Sequence, residues 1–158
     1  MRTRIFVIGG VLAVILLMAG GAALDRYLAV SRPRAQATGC QSNLKQLASA
    51  MMMYAQDYDE RYPVAERWTG VLDPYLRNTF IYACPARPGL HWGYAMTESV
   101  SEAPMKVIAA PAQTPLLFDS DQGVPGAADA PSRAAFRHPG GANVAFADGH
   151  VAARGRLP

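Results

Sequence analysis

The stretch Cys40-Gln41-Ser42-Asn43-Leu44-Lys45-Gln46-Leu47-Ala48-Ser49-Ala50-Met51-Met52-Met53-Tyr54-Ala55-Gln56-Asp57-Tyr58 decides the fold. Cys40, Leu44, Leu47, Ala48, Met51, Tyr54, Ala55 and Tyr58 recur at three- and four-residue steps, so they share one face of an α-helix. Gln41, Asn43, Lys45, Gln46, Ser49 and Gln56 fall on the other side. The Met51-Met52-Met53 run reads as core filling. Asp57, Asp59 and Glu60 oppose the helix dipole in the last turns, and Pro63 is the expected stop.

Toward the amino terminus, Ile5 to Leu24 is an uncharged run of twenty residues. As a helix at about 1.5 Å per residue it would match a bilayer's roughly 30 Å hydrocarbon layer. The run predicts a single-pass anchor, with a cleaved signal peptide as the competing reading. Residues 25–39 read as a basic linker, with a kink or break expected at Pro33.

Toward the carboxyl terminus the middle third is divided by Gly70, Pro74, Pro85, Pro88, Gly89 and Gly93, with Trp68, Leu72, Tyr75, Leu76, Phe80 and Tyr82 as packing residues between them. Pro115 to Phe118 predicts a short buried strand, and Gly123 to Pro131 a loop. Ala142-Asn143-Val144-Ala145-Phe146-Ala147, then Asp148-Gly149, then His150-Val151-Ala152-Ala153-Arg154 predicts a β-hairpin with a two-residue type I′ turn. That turn would place Phe146 opposite Val151 and Val144 opposite Ala153. Val144, Phe146, Val151 and Ala153 would then form the buried face, and Asn143, Ala145, Ala147, His150, Ala152 and Arg154 a wetter one. The expected fold class is α+β: a long N-terminal helix, half in lipid and half amphipathic, packed on a small antiparallel sheet that ends in this hairpin. The expected divisions are residues 1–24, 25–39 and 40–158.

Charge narrows the function. The net charge is +3, yet five of the fifteen basic residues (Arg2, Arg4, Arg26, Arg32, Arg34) lie before position 35. The remainder carries ten Lys+Arg against eleven Asp+Glu. The basic excess flanks one apolar run and makes no groove for phosphates, so nucleic acid is not an expected partner.

Taken together, the hydrophobic N-terminal helix, Cys40 to Leu47, Tyr54-Ala55-Gln56-Asp57-Tyr58-Asp59-Glu60-Arg61-Tyr62-Pro63, and His138 followed after nine residues by Asp148-Gly149 resemble a known group. The chain is similar to type IV pilin-like, type II secretion pseudopilin-like proteins that carry a C-terminal His-x9-Asp-Gly signature. Trp68, Pro74-Tyr75, Cys84-Pro85 and Gly93-Tyr94-Ala95-Met96 follow in the group's order. The resemblance implies a structural protein displayed outside the cytoplasmic membrane. Its implied partners are the lipid bilayer and other pilin-like subunits or secretion machinery. The chain departs from the group at its start: nothing after Gly9-Gly10 matches the Phe-Thr-Leu-Ile-Glu that opens the membrane helix. The alternative is a non-polymerising anchored binding module on the same fold.

The chemical candidates are few. Cys40 and Cys84 are either a disulfide or two free buried thiols; a bridge would contribute roughly 3–4 kcal/mol. His138, Asp148 and His150 suggest a metal site or a His-Asp pair. A hairpin arm of about six residues at roughly 3.3 Å each puts His138 about 20 Å from Asp148, so structural roles are expected: Asp148-Gly149 for the turn, His138 for a loop backbone hydrogen bond. Asp119 and Asp121, in Asp119-Ser120-Asp121-Gln122-Gly123, resemble the opening of a calcium loop but lack its distal ligands. An ordinary polar turn is preferred there, and no cofactor is expected. No nucleophile motif or phosphate loop is present in the sequence, so an enzyme is not expected.

Overall fold

The computed structural model describes residues 2–155, with side chains from Leu16 onward. The chain divides into two units, 1–34 and 35–158. Helix α1 runs Arg2–Asp57 with Pro33 inside it. The expected break at Pro33 is absent, and residues 25–39 are helical. Proline removes one amide donor and leaves the carbonyl four residues back without a partner. That residue, Ala29, is exposed, so water can take the carbonyl.

The anchor expected over Ile5–Leu24 requires correction. Among the described residues no helix is long and apolar enough to cross a membrane. The described apolar stretch, Leu16 to Leu24, is followed at once by Asp25 and Arg26. At about 1.5 Å per residue its nine residues cover about half of the hydrocarbon thickness. Positions 5–15 of the expected anchor lie outside the residues whose side chains are described. The expected single-pass membrane placement falls with it.

The second unit is α+β. The C-terminal part of α1 packs on a five-stranded mixed sheet of order β3-β1-β2-β4-β5. The strands are β1 (Tyr94–Thr97), β2 (Pro115–Asp119), β3 (Ala128–Asp129), β4 (Ala142–Phe146) and β5 (Val151–Arg154). A short helix α2 (Trp68–Leu72) and several 3₁₀ turns fill the connection from α1 to β1. The sheet is mixed rather than antiparallel because β3 pairs parallel with β1, Met96 opposite Ala128. That strand lies inside the stretch expected to be a loop. It is held there from outside the sheet: Trp68 Nε1 donates to Ala127 O at 2.9 Å, and Gly126 N donates to Thr69 Oγ1 at 3.1 Å.

The helix face read from the sequence is the core. Cys40, Leu44, Leu47, Ala48, Met51 and Ala55 have no exposed surface, and Ala50 joins them. All but Ala55 share one core with Tyr94, Met96, Leu116, Leu117, Ala145 and Ala147. Only Met51 of the methionine run is fully buried; Met53 is exposed, as is Tyr58. Phe80, expected to pack, is 83% exposed. The helix stops at Asp57, ahead of Pro63, because Asp59 and Glu60 turn left-handed (φ 54° and 55°) and Glu60 N donates back to Ala55 O at 2.8 Å. That closure satisfies a terminal carbonyl before the proline is reached.

The polar side of α1 is not merely solvated. Gln41 Nε2 donates to Asn143 Oδ1 at 3.0 Å, Asn43 Nδ2 to Ala83 O at 2.9 Å, and Lys45 Nζ to Gly149 O at 2.6 Å. Three side chains thus pin the helix to the sheet and to the loop ahead of Cys84.

The β4–β5 register differs from the expected one by a single residue. Ala145 faces Val151 and Val144 faces Ala152. Phe146 N donates to His150 O, and Gly149 N donates to Phe146 O, so Ala147-Asp148-Gly149 forms a three-residue connection with Gly149 at φ 82°. This is a type I turn closed by a glycine bulge, not a type I′ turn. Asp148 selects it: its Oδ1 accepts from His150 N at 3.0 Å. A one-residue slip moves one strand's side chains to the other face of its partner's. Ala145, Ala147 and Val151 therefore face α1, where small residues let the helix approach. Val144, Phe146 and Ala152 pack on the opposite side with Ala95, Phe118, Ala127 and Ala134. Both faces of β4 are buried.

Candidate functional site

The most concentrated chemistry of the second unit lies at the end of β2, where Asp119 is fully buried. A carboxylate there needs partners, since an isolated buried charge costs several kcal/mol. Asn143 N donates to its Oδ2 at 2.6 Å, and His138 Nε2 lies 3.2 Å from the same oxygen. Arg137 Nη2 lies 3.4 Å from Oδ1.

Each partner is delivered by local structure. His138 and Gly141 exchange backbone hydrogen bonds across Pro139-Gly140, a tight turn that leads into β4 and turns the imidazole inward. Arg137 is 9% exposed and reaches past Asp119. Its Nη1 donates to Asp121 Oδ1 at 2.7 Å and to Ser120 O at 3.2 Å, while Nη2 also donates to Gly93 O. The cation between Asp119 and Asp121 is therefore a guanidinium, and Asp121 also faces Arg87 at 3.7 Å. The two acids read as the start of a calcium loop are engaged by arginine.

Cys40, on α1, is bridged to Cys84, in the loop before β1, with Cα atoms 5.2 Å apart. The bridge lies directly against the carboxylate group: Cys84 Sγ is 3.6 Å from His138 Nε2. Gly93 permits this closeness, since a Cβ there would come within 2.9 Å of Cys84 N. Tyr94 sits alongside, its hydroxyl donating to Cys40 O at 3.4 Å. Burial first, then the Asp119 charge, push its ionisation well above the ordinary tyrosine range. Tyr94 thus stays a neutral donor.

The signature residues separate into two places. His138 belongs to the Asp119 group, bonding through its side chain as well as its backbone. Asp148 belongs to the β4–β5 turn, where its Oδ1 meets His150 Nδ1 at 2.6 Å. His150 stacks on Phe146 with ring centres 4.3 Å apart, and Arg154 covers that ring at 5.2 Å. Asp148 is held below its ordinary value of 3.8, mainly by the His150 backbone amide and then by the His150 ring. Its folded value being the lower one, this contribution to stability is present above pH 3.8 and lost as pH falls through the folded value. Asp148→Asn is expected to flatten the acid limb of a stability-versus-pH curve, measured by urea midpoints. An acid limb of unchanged steepness would remove this role.

Reading the residues in order missed Arg137, Asn143 and Asp119 as one group. The available signal was the Arg137-His138 pair ahead of a Pro-Gly-Gly turn, with a buried strand ending in Asp119. No family model, curated protein or solved structure matches the chain.

Proposed function

We propose that this chain is a pilin-like, pseudopilin-like structural protein that works by packing and presentation rather than catalysis. The observation that carries the proposal is a set of exposed apolar side chains on the described part of the first unit's helix. Leu16, Leu17 and Met18 are 71–76% exposed, and Leu24, Tyr27 and Val30 are each more than half exposed. Burying a large apolar side chain contributes roughly 1.5–3 kcal/mol, so six of them together are a strong drive toward a partner helix. The partner that fits is the same surface of another pilin-like subunit, which offers a matching apolar helix. The Cys40 to Pro63 and His138 to Gly149 motifs support the same reading by resemblance.

Chemical crosslinking of the full chain is expected to give a ladder of oligomers, and Leu17→Asn with Leu24→Asn is expected to collapse it to one band. A single band for the unsubstituted chain would remove assembly through this surface. It would favour the second reading, a non-polymerising binding module. For that reading the relevant feature is an open groove of about 460 Å³ lined by Phe80, Tyr82, Leu90 and Trp92.

A further inference from the structure

We propose that Cys40, Cys84 and His138 form a redox-gated site for a thiophilic divalent cation of the zinc class, closed as a disulfide when oxidised and open when reduced. The Sγ atoms and a His138 ring nitrogen all lie within 4.8 Å of one another, and all three residues are buried. Zinc takes thiolate at about 2.3 Å and imidazole at about 2.0–2.1 Å in a tetrahedron, which sets sulfur and nitrogen about 3.6 Å apart. Cys84 Sγ and His138 Nε2 are already 3.6 Å apart. Two thiolates on the same ion stand about 3.8 Å apart, a separation that opening the bridge and rotating the cysteine side chains can supply.

Charge favours the ion as well. Two thiolates and a neutral imidazole leave a zinc site neutral. Asp119 Oδ2, 3.2 Å from Nε2, adds an anionic oxygen at the site's edge. That carboxylate is positioned as an outer partner or a fourth ligand, and four-ligand closure is usual for structural zinc. A cavity of about 350 Å³ lined by Cys84, Pro85, Leu90 and His91 opens beside the bridge and gives an access route.

The steps balance with a phosphine as reductant. The phosphine and one water convert the disulfide to two thiols and a phosphine oxide. Zinc then displaces one proton from each thiol and takes the Nε2 lone pair of the neutral imidazole, whose one ring proton is then on Nδ1. Two protons leave per ion bound.

The test uses the full chain, reduced anaerobically with a phosphine and titrated with zinc against a chromogenic chelator. The expected result is one zinc per reduced chain, none per oxidised chain, and release of two protons. Cobalt in place of zinc should give a thiolate charge-transfer band. His138→Ala should weaken zinc by about tenfold or more, as losing a ligand or its orienting partner does. Nitrogen-15 NMR of the unsubstituted chain provides a readout that does not depend on any variant folding. Zinc should shift the His138 Nε2 resonance and leave His91 and His150 in place. No stoichiometric zinc in the reduced chain, equal binding by the oxidised chain, or an unmoved His138 resonance would each overturn the proposal.

Discussion

Replacing both Cys40 and Cys84 by alanine lowers the unfolding free energy by about 4 kcal/mol, the largest effect expected of any change that leaves charges untouched. The bridge closes a loop of 44 residues. In the chain-entropy model, that closure removes about 13 cal/mol/K from the unfolded ensemble, or about 4 kcal/mol at room temperature. Small domains hold only about 5–15 kcal/mol in total, so the loss is a large share. Two features enlarge it in this chain. The bridge is the covalent tie between α1 and the loop that leads into β1, so its loss leaves that junction to packing and hydrogen bonds alone. Both sulfurs are also buried in the larger core, and truncation leaves space there. The measurement is a urea titration of the double variant and of the reduced wild type. Both midpoints should fall together, with a slope at or above the original, because the uncrosslinked unfolded chain exposes more surface. A midpoint shift worth less than about 1 kcal/mol would show that the other contacts of α1 already confine the unfolded chain.

Asp119→Ala is the second large effect, about 3–5 kcal/mol, from stranding buried partners. The carboxylate accepts from Asn143 N and faces His138 and Arg137, whose side chains are 1% and 9% exposed. Its removal leaves the Asn143 amide hydrogen without an acceptor, the buried His138 ring without its carboxylate neighbour, and Arg137 without the more buried of its two anions. Asp119→Asn keeps one oxygen for the Asn143 amide and should recover about 1–2 kcal/mol of the loss, the range of a hydrogen bond to a neutral acceptor. A double-mutant cycle with Arg137→Met checks the assignment. The second substitution should cost less in the Asp119→Ala background than alone, because the guanidinium there keeps only Asp121 of its two anions. Additive costs would separate the arginine from Asp119 and leave it a role at Asp121 and at the Ser120 and Gly93 carbonyls. The zinc proposal is distinguishable from both results, since metal binding is read in reduced chains by stoichiometry and by the His138 resonance.

Much of the helix was legible because its signal is local. The spacing of Leu44, Leu47, Ala48 and Met51 marks a face whatever it packs against, and that face is buried. The strand at Pro115 to Phe118 was legible for the same reason, as a short apolar run bounded by turn residues. The register of β4 and β5 was not. Asp148-Gly149 fits two turn types, and the choice depends on which carbonyl the glycine amide meets and on the Asp148 side chain. The consequence of that choice spread along both strands, exchanging the expected faces of Val144 and Ala145.

His138 shows the same limit at the site. Nothing near it in the chain points to Asp119 or to Cys84. These are 19 and 54 positions away by the numbering, and only the β2–β4 pairing and the Pro139-Gly140 turn bring them within hydrogen-bond range.

By itself the chain's order of residues determined the helical face, the position of a buried strand, the turn at Asp148-Gly149 and the balanced charge of the body after residue 34. Each of these depends on neighbours a few residues apart, whose geometry the backbone imposes. Only the tertiary structure decided the mixed sheet, the side of β4 that meets α1, and the meeting of Asp119, His138, Arg137 and the Cys40–Cys84 bridge. Those depend on pairing between distant segments, where desolvating a charge or slipping a strand by one residue changes the free energy by more than any local preference can.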